Sequence, residues 1–309
     1  MVKFAVIGDP VVHSLSPALH TVVYERLGIN VRYDKIHVPK EELRAFAERL
    51  RSGKGEGAEA ALCGVNVTIP HKEGILPLLD EIKGDASSAG AINTVVREDW
   101  TAADRVGNPQ FAARLIGYNT DMEGLLRALE NSGSGYQNRV VCIFGSGGAA
   151  LGAAVKAASE GAKTVRVIGR NKEKIDKICE RAPTVLSVVA ESGYIPAAAV
   201  LDADVFINAT PLGMQGYTGS FTDFDFLDAL PKTALVYDCV YIPAETTLLW
   251  EARARGLKAE NGLSMLVWQG LLSDVYFLRA AGEERFTKAE ILSQEMFAAV
   301  YKTLENVLG

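Results

Sequence analysis

The sequence predicts an α/β protein of two domains, and three observations carry that reading. Short β-branched runs alternate with stretches whose apolar residues recur at helical spacing. The alternation is interrupted by a long irregular stretch and restarts near residue 121. After the restart the strand-like runs are apolar throughout, the pattern of parallel strands covered by helices on both faces. A chain of 309 residues is long enough for two such domains. The expected boundaries are 1–120 and 121–262, with 263–309 following.

Taken in order, FAVIG (4–8) is a strand stopped by Asp9-Pro10. In SPALHTVVYERLG, Ser16 is a candidate N-cap, Pro17 stands at the first helical position and Gly28 just past the end, so a helix is framed. RYDKIHV (32–38) is the next strand, and EELRAFAERL carries Leu43, Phe46, Ala47 and Leu50 at helical spacing. RSGKGEGAEA (51–60) reads as a flexible, charged connection. In GVNVTIPHK (64–72), Val65, Val67 and Ile69 alternate with Asn66 and Thr68 before Pro70 ends the ladder. A surface strand explains that pattern, and so does a cleft into which Asn66, Thr68 and Lys72 all point. AINTVVR (91–97) and LIGYN (115–119) read as two more strands; the long connection between them is functional or mobile.

Beyond residue 121, MEGLLRALENSG is a helix closed by glycine and RVVCIFG (139–145) a strongly apolar strand. GGAALGAAVKAASEG is a helix rich in small residues, and TVRVIG (164–169), DVFINATP and ALVYDCVY continue as strands.

Composition narrows the function. The net charge of −6, with dispersed Lys and Arg, argues against nucleic acid as the main partner. Cys63, Cys142, Cys179 and Cys239 lie far apart and read as thiols of a reducing compartment, neither a disulfide frame nor a zinc site. The four histidines, His13, His20, His37 and His71, show no metal-binding spacing and read as structural or surface residues. No run is apolar enough for a signal peptide or a bilayer span, so a cytoplasmic location with no membrane partner is expected.

Gly145, Gly147 and Ala150 fit G-x-G-x-x-G/A between a clear strand and a clear helix. The first Gly permits a tight turn, the second lets a pyrophosphate approach the backbone, and the small third residue lets helix pack on strand. The phosphates then sit at the positive end of the helix. A merely tight βα turn is the plainer alternative. The next strand ends VIGRN, with no acid at its tip and Arg170 following, which favours NADP over NAD. A solvated Arg170 is the competing reading, and Glu173 stands nearby.

Four further stretches are polar where a plain scaffold would not be: GDPVVHSLSPALH, GVNVTIPHK, AGAINTV and GYNTDMEG. With INATPLGM, YDCVYIPAETTLL and NGLSMLVWQG, in that order from Gly8 to about Phe277, they resemble the shikimate dehydrogenase family. The resemblance implies reversible NADP-dependent oxidation of shikimate to 3-dehydroshikimate in aromatic amino-acid biosynthesis. It also implies a substrate domain completed by the C-terminal helices (263–309), a Rossmann domain, and a reaction cleft between them.

Residue by residue, the resemblance implies Lys72 and Asp121 flanking the reacting hydroxyl. A neighbouring carboxylate holds a lysine protonated while desolvation works the other way, so which of the two accepts the proton stays open. Ser14, Ser16, Asn66, Thr68, Asn93, Tyr241 and Gln269 are implied to bind substrate. Gly145, Ser146, Gly147, Gly148, Ala149, Arg170, Thr210, Val240, Gly262 and Met265 are implied to bind the cofactor, and no metal is called for. A capping box from Thr120 and Glu123 is the bland explanation for the stretch around Asp121.

The chain departs from the family in extra length near 51–60 and 97–115, in the VIGRN turn and in Thr21. A quinate/shikimate dehydrogenase using NAD or NADP is the nearest alternative, and a non-catalytic nucleotide-binding regulator the alternative of a different class. A monomer or homodimer is expected.

Overall fold

The computed structural model describes residues 2–59, 62–99, 113–182, 184–190 and 194–308. The chain divides into two compact units, residues 1–120 with 269–307, and residues 121–268 with 308–309.

The first unit opens with β1 (Val2–Gly8), α1 (Ser16–Leu27), β2 (Val31–His37) and α2 (Leu43–Ser52). It continues with β3 (Leu62–Val67), α3 (His71–Gly74), β4 (Glu81–Ile82), α4 (Ala86–Ala89), β5 (Thr94–Asp99) and β6 (Ala113–Tyr118). The six strands form one sheet in the order β2-β1-β3-β5-β6-β4. β1 pairs in parallel with β2 and β3, but β5 runs antiparallel to both β3 and β6, so the sheet is mixed. That reversal sets Asn66 of β3 directly opposite Thr94 of β5. A core built on Phe46, Leu50, Val65, Ile75, Val95 and Leu115 joins α2 to the sheet.

Two local expectations change. Ser16 lies inside α1 with Leu15 at the cap position, and the Ser16 amide donates to Ser14 Oγ at 3.2 Å, so the hydroxyl two residues earlier covers the helix end. Gly28 does close that helix, at φ 63°. Residues 51–59 are pinned rather than loose: the Arg49 fork grips both Glu59 oxygens at 2.6 and 2.9 Å, and Lys3 Nζ donates to the Gly57 carbonyl. Residue 60, and residues 100–112 of the 97–115 insertion, lie outside the described residues.

The second unit runs α5 (Asp121–Asn131), β7 (Val140–Phe144), α6 (Gly148–Ser159), β8 (Thr164–Gly169), α7 (Lys172–Arg181), β9 (Val185–Val189) and β10 (Val205–Asn208). Then follow α8 (Phe226–Ala229), β11 (Leu235–Asp238), α9 (Thr247–Ala254), β12 (Lys258–Asn261) and α10 (Leu263–Ala280). Its six strands are all parallel, in the order β12-β11-β10-β7-β8-β9. Counted from β7, that is the doubly wound order 3-2-1-4-5-6, which reverses between β7 and β10. Phe144, Phe206, Phe226, Val236 and Leu248 anchor the core of this unit. The later part of α10, from Gln269, belongs to the first unit, as do α11 (Lys288–Ile291) and nearly all of α12 (Gln294–Leu308).

Candidate functional site

The polar site of the first unit grows around the ends of the parallel strands β1 and β3. The ladder continues past β3, since Thr68 N donates to Ile7 O at 2.9 Å and Asp9 N to Ile69 O at 3.0 Å. A Cβ on Gly8 would come within 2.5 Å of Thr68 Cγ2, so only glycine lets the two segments lie this close. Ile69-Pro70 is a cis bond, and the single turn of α3 follows with Lys72 in it. That turn is tied down twice. Ile92 N donates to the Lys72 carbonyl at 2.8 Å, and buried His71 donates through Nε2 to the Val38 carbonyl at 2.6 Å.

Asn66 is 6% exposed and fully engaged. Its Oδ1 accepts from the Tyr33 hydroxyl at 2.6 Å, while its Nδ2 lies 2.9–3.1 Å from Ser273 Oγ, Thr94 Oγ1 and the Asn93 carbonyl. Asn93 is bound alongside: Oδ1 accepts from Thr120 N at 2.8 Å, and Nδ2 donates to Thr120 Oγ1 at 2.8 Å and to Gln269 Oε1 at 3.2 Å. Ser273 Oγ donates to the Gln269 carbonyl one helical turn back. Thus Asn66, Asn93 and Gln269 share one buried network, and in the same unit Ser14 donates to Ser16 at 3.1 Å. Burial pushes the Tyr33 phenol well above its ordinary value; the Asp274 charge adds to this and the Ser16 hydroxyl opposes it.

The seat of α10 fixes this arrangement. Phe277 stacks on Phe4 at 4.4 Å between centroids, and a Cβ on Gly270 would meet Leu19 at 2.5 Å. Close packing of that helix therefore sets where Gln269 and Ser273 fall. Sequence reasoning missed Tyr33, Thr94, Thr120 and Ser273, and the buried pair of His20 Nδ1 and Asp274 Oδ1 at 2.8 Å. One signal was available, since Ser273-Asp274 is a polar pair inside an otherwise apolar helix, LVWQGLLSDVYF. Thr120, proposed as half of a capping box, spends its hydroxyl on Asn93 and Ser273, and Glu123 pairs with Arg127 and Lys156.

In the second unit, a pocket of about 330 Å³ opens where the strand order reverses. Gly145, Ser146 and Gly147 line one side, Ala209, Thr210, Pro211 and Leu212 another, with Gly169 and Arg170 between the strand ends. Gly145 holds φ 136°, and a Cβ there would stand 3.0 Å from the Ala209 carbonyl. Gly147 and Gly148 face open space, and α6 begins at Gly148. Asn171 caps α7, accepting from Lys174 N at 3.0 Å, which gives the odd VIGRN turn a structural reason for its last residue.

Such a pocket suits a dinucleotide. Its glycines leave room for phosphate against the backbone, the helix end offers amide donors, and Arg170 supplies the cation. Val240, Gly262 and Met265 are not among the residues lining it. Gly262 donates to the Val240 carbonyl at 3.0 Å, and a Cβ on it would fall 2.2 Å from Cys239 O, so it is glycine for a close backbone crossing. Asp121 opens α5, and Tyr241, whose phenol burial pushes up, follows β11; both belong to this unit.

Among the described residues, no helix is long and apolar enough to cross a membrane, and no group of three His, Cys, Asp or Glu could hold a metal ion.

Residues 6–95 match the family model described as the shikimate dehydrogenase substrate binding domain. A shikimate dehydrogenase (NADP(+)) of Symbiobacterium thermophilum is 37% identical over 90% of this chain and 89% of its own length. A shikimate 5-dehydrogenase of Thermus thermophilus, solved in complex with NADP(H) and shikimate, is 30% identical, with a TM-score of 0.75 over 98% of this chain and 100% of that one. A 5-ketofructose reductase of a Gluconobacter species is 25% identical, with a TM-score of 0.79 over 99% of this chain and 98% of its own. On the identity and coverage of these relatives, the chain belongs to the shikimate dehydrogenase family.

Proposed function

We propose that the protein catalyses the reversible NADP-dependent oxidation of shikimate to 3-dehydroshikimate, a step of aromatic amino-acid biosynthesis. The observation that carries this reading is family-wide similarity joined to a doubly wound sheet whose switch-point pocket presents glycines and Arg170 together. NADP, when bound, supplies a hydride acceptor at its nicotinamide. The 121–268 unit holds it, with Gly145, Ser146, Gly147, Gly148 and Ala149 facing the phosphates and Arg170 the 2′-phosphate; Thr210 lines the same pocket, and Val240, Gly262 and Met265, which lie outside that lining, are assigned to the rest of the cofactor.

The first unit binds substrate. Ser14 and Ser16 offer hydroxyls at the start of α1, whose positive end favours a carboxylate. Asn66, Thr68, Asn93 and Gln269, joined by Tyr241, address the ring hydroxyls and carboxylate. Asn66 and Asn93 are braced by their own protein partners, so the network they belong to is in place before substrate binds. Lys72 and Asp121 handle the proton released as the alcohol becomes a ketone; a base there lowers the barrier by taking the proton as hydride departs. Four cysteines, none of them in a disulfide, suit the reducing cytoplasm, where the enzyme acts as a monomer or homodimer with no nucleic acid or membrane partner.

The experiment follows reduced nicotinamide by its near-ultraviolet absorbance. Pure protein is mixed with shikimate, quinate or 5-ketofructose, with either cofactor, in the appropriate redox direction. A specificity constant for shikimate with NADP above every other pairing supports the reading. A clear preference for quinate, 5-ketofructose or NAD revises substrate or cofactor, and silence in every pairing removes the catalytic reading altogether.

A further inference from the structure

The pocket of the second unit has a wall that no glycine explains. After β10 the chain turns through Ala209, Thr210, Pro211 and Leu212, all of which line the pocket. Behind this wall lies Asp238, the last residue of β11, fully buried and in register with Asn208 of β10. We infer that Asp238 and Asn208 form a positioning pair that sets the shape of the dinucleotide pocket by dictating the orientation of one amide. The inference rests on the NADP reading of that pocket.

Direction is forced at each link. Asp238 accepts from donors on three segments: Asn208 Nδ2 at 2.9 Å, Val240 N at 3.0 Å and Thr246 Oγ1 at 2.6 Å. None of these is cationic. An ionised carboxylate only accepts, so Asn208 must turn its NH2 toward Asp238 and its oxygen the other way. That oxygen accepts from Thr210 Oγ1 at 2.6 Å and Thr210 N at 3.1 Å, and Thr210 Oγ1 in turn accepts from Leu212 N at 3.2 Å. The chain from carboxylate to amide to hydroxyl to backbone ends on the pocket wall. Opposite stands Gly145, whose missing Cβ would touch the Ala209 carbonyl, so a small displacement of the wall changes the space beside the glycine loop.

Burial pushes the Asp238 carboxyl up to about 6, with the Thr246, Val240 and Asn208 donors holding it down in part. The titratable neighbour is the Cys239 thiol, pushed up by burial and then by the Asp238 charge, which keeps it neutral. Thr246 on the turn into α9 and Asn208 on β10 present only neutral groups.

The test is a fluorescence titration with NADPH on wild type, Asn208→Ala and Asn208→Asp, with the KM for shikimate measured beside it. Asn208→Ala leaves Asp238 and Thr210 each short of a partner and should weaken NADPH binding by about tenfold, with the shikimate KM within about twofold. Asn208→Asp carries the sharper sign. Below about pH 5, a proton shared between the two carboxyls lets residue 208 donate to Asp238 while accepting from Thr210, so affinity should approach that of wild type at the same pH. Above about pH 8 the two carboxylates repel, and affinity should fall at least as far as in Asn208→Ala.

An Asn208→Asp affinity that keeps the same ratio to wild type at both pH values overturns the pair, as does an Asn208→Ala that binds as tightly as wild type. Circular dichroism on the same samples must stay constant; unfolding of Asn208→Asp on raising the pH counts against a local positioning role. A wild type that fails to bind NADPH overturns the NADP reading and the pair with it, which separates that failure from the others.

Discussion

The two units build their polar surfaces in opposite ways. In the first, the site is made of side chains drawn from distant parts of the chain: Asn66 meets Ser273 from 207 positions away, and Asn93 meets Gln269 from 176. In the second, the pocket is made largely from loops that follow the neighbouring strands β7, β8 and β10, with glycine at 145 where a Cβ would crowd the Ala209 carbonyl. The difference reflects the ligands proposed for them. A pyrophosphate is met by amides at a helix end and needs close approach, whereas a small polyhydroxylated acid is distinguished only by donors and acceptors fixed one by one.

This contrast can be broken at four points. Lys72→Ala should lower turnover by a factor on the order of 10² or more while the KM values for both ligands change less, because an acid–base group acts on the barrier. Steady-state kinetics decides it, and equal losses in binding and turnover would remove Lys72 from the chemistry.

The second effect concerns stability. Asp238 stands at about 6 in the folded chain against an ordinary 3.8, raised mainly by burial. The native state thus holds the proton more tightly than the unfolded chain, and the associated stability is fully present below about pH 4 and lost as pH rises through about 6. Measured by urea denaturation, the stability of wild type relative to Asp238→Asn should fall by about 2 kcal/mol between about pH 4 and pH 7. A flat difference would mean that the carboxyl is not held up by burial.

Arg170→Ala comes next. Loss of a charge-assisted contact should raise the KM for NADP by about tenfold and leave that for NAD nearly unchanged, narrowing the gap between the cofactors. Identical changes for both would make Arg170 a solvated charge. Smallest is Tyr33→Phe, which strips the donor from Asn66 Oδ1. We expect a loss of about 1–2 kcal/mol in stability and a shikimate KM raised a few-fold with kcat held; a raised NADP KM instead would misplace Tyr33.

The same contrast explains what could be read from the residues alone. The glycine loop, the strand before it and the helix after it are contiguous, so local spacing suffices to place Gly145, Ser146, Gly147 and Arg170 on neighbouring turns. Strands β9 and β12 escaped notice for a physical reason. Both lie at sheet edges; LSV of β9 is largely exposed or half-exposed, and β12 reads KAEN, which has no apolar periodicity to detect. In the first unit, Asn66 and Thr68 were visible as polar residues in an apolar strand, but their partners were not. Tyr33 and Thr94 look like ordinary strand residues, and nothing local links Ser273 to a strand about two hundred residues earlier. The antiparallel course of β5 was likewise hidden, since apolar runs carry no sign of direction.

We propose that this chain oxidises shikimate with NADP and that Lys72 serves the chemical step. It is tested most directly by following NADPH formation from shikimate with wild type and Lys72→Ala side by side, at equal concentration and with both ligands saturating. Wild type should form NADPH steadily, and the variant should be slower by a factor on the order of 10² or more. No shikimate-dependent signal from wild type, or a variant as fast as wild type, would contradict it.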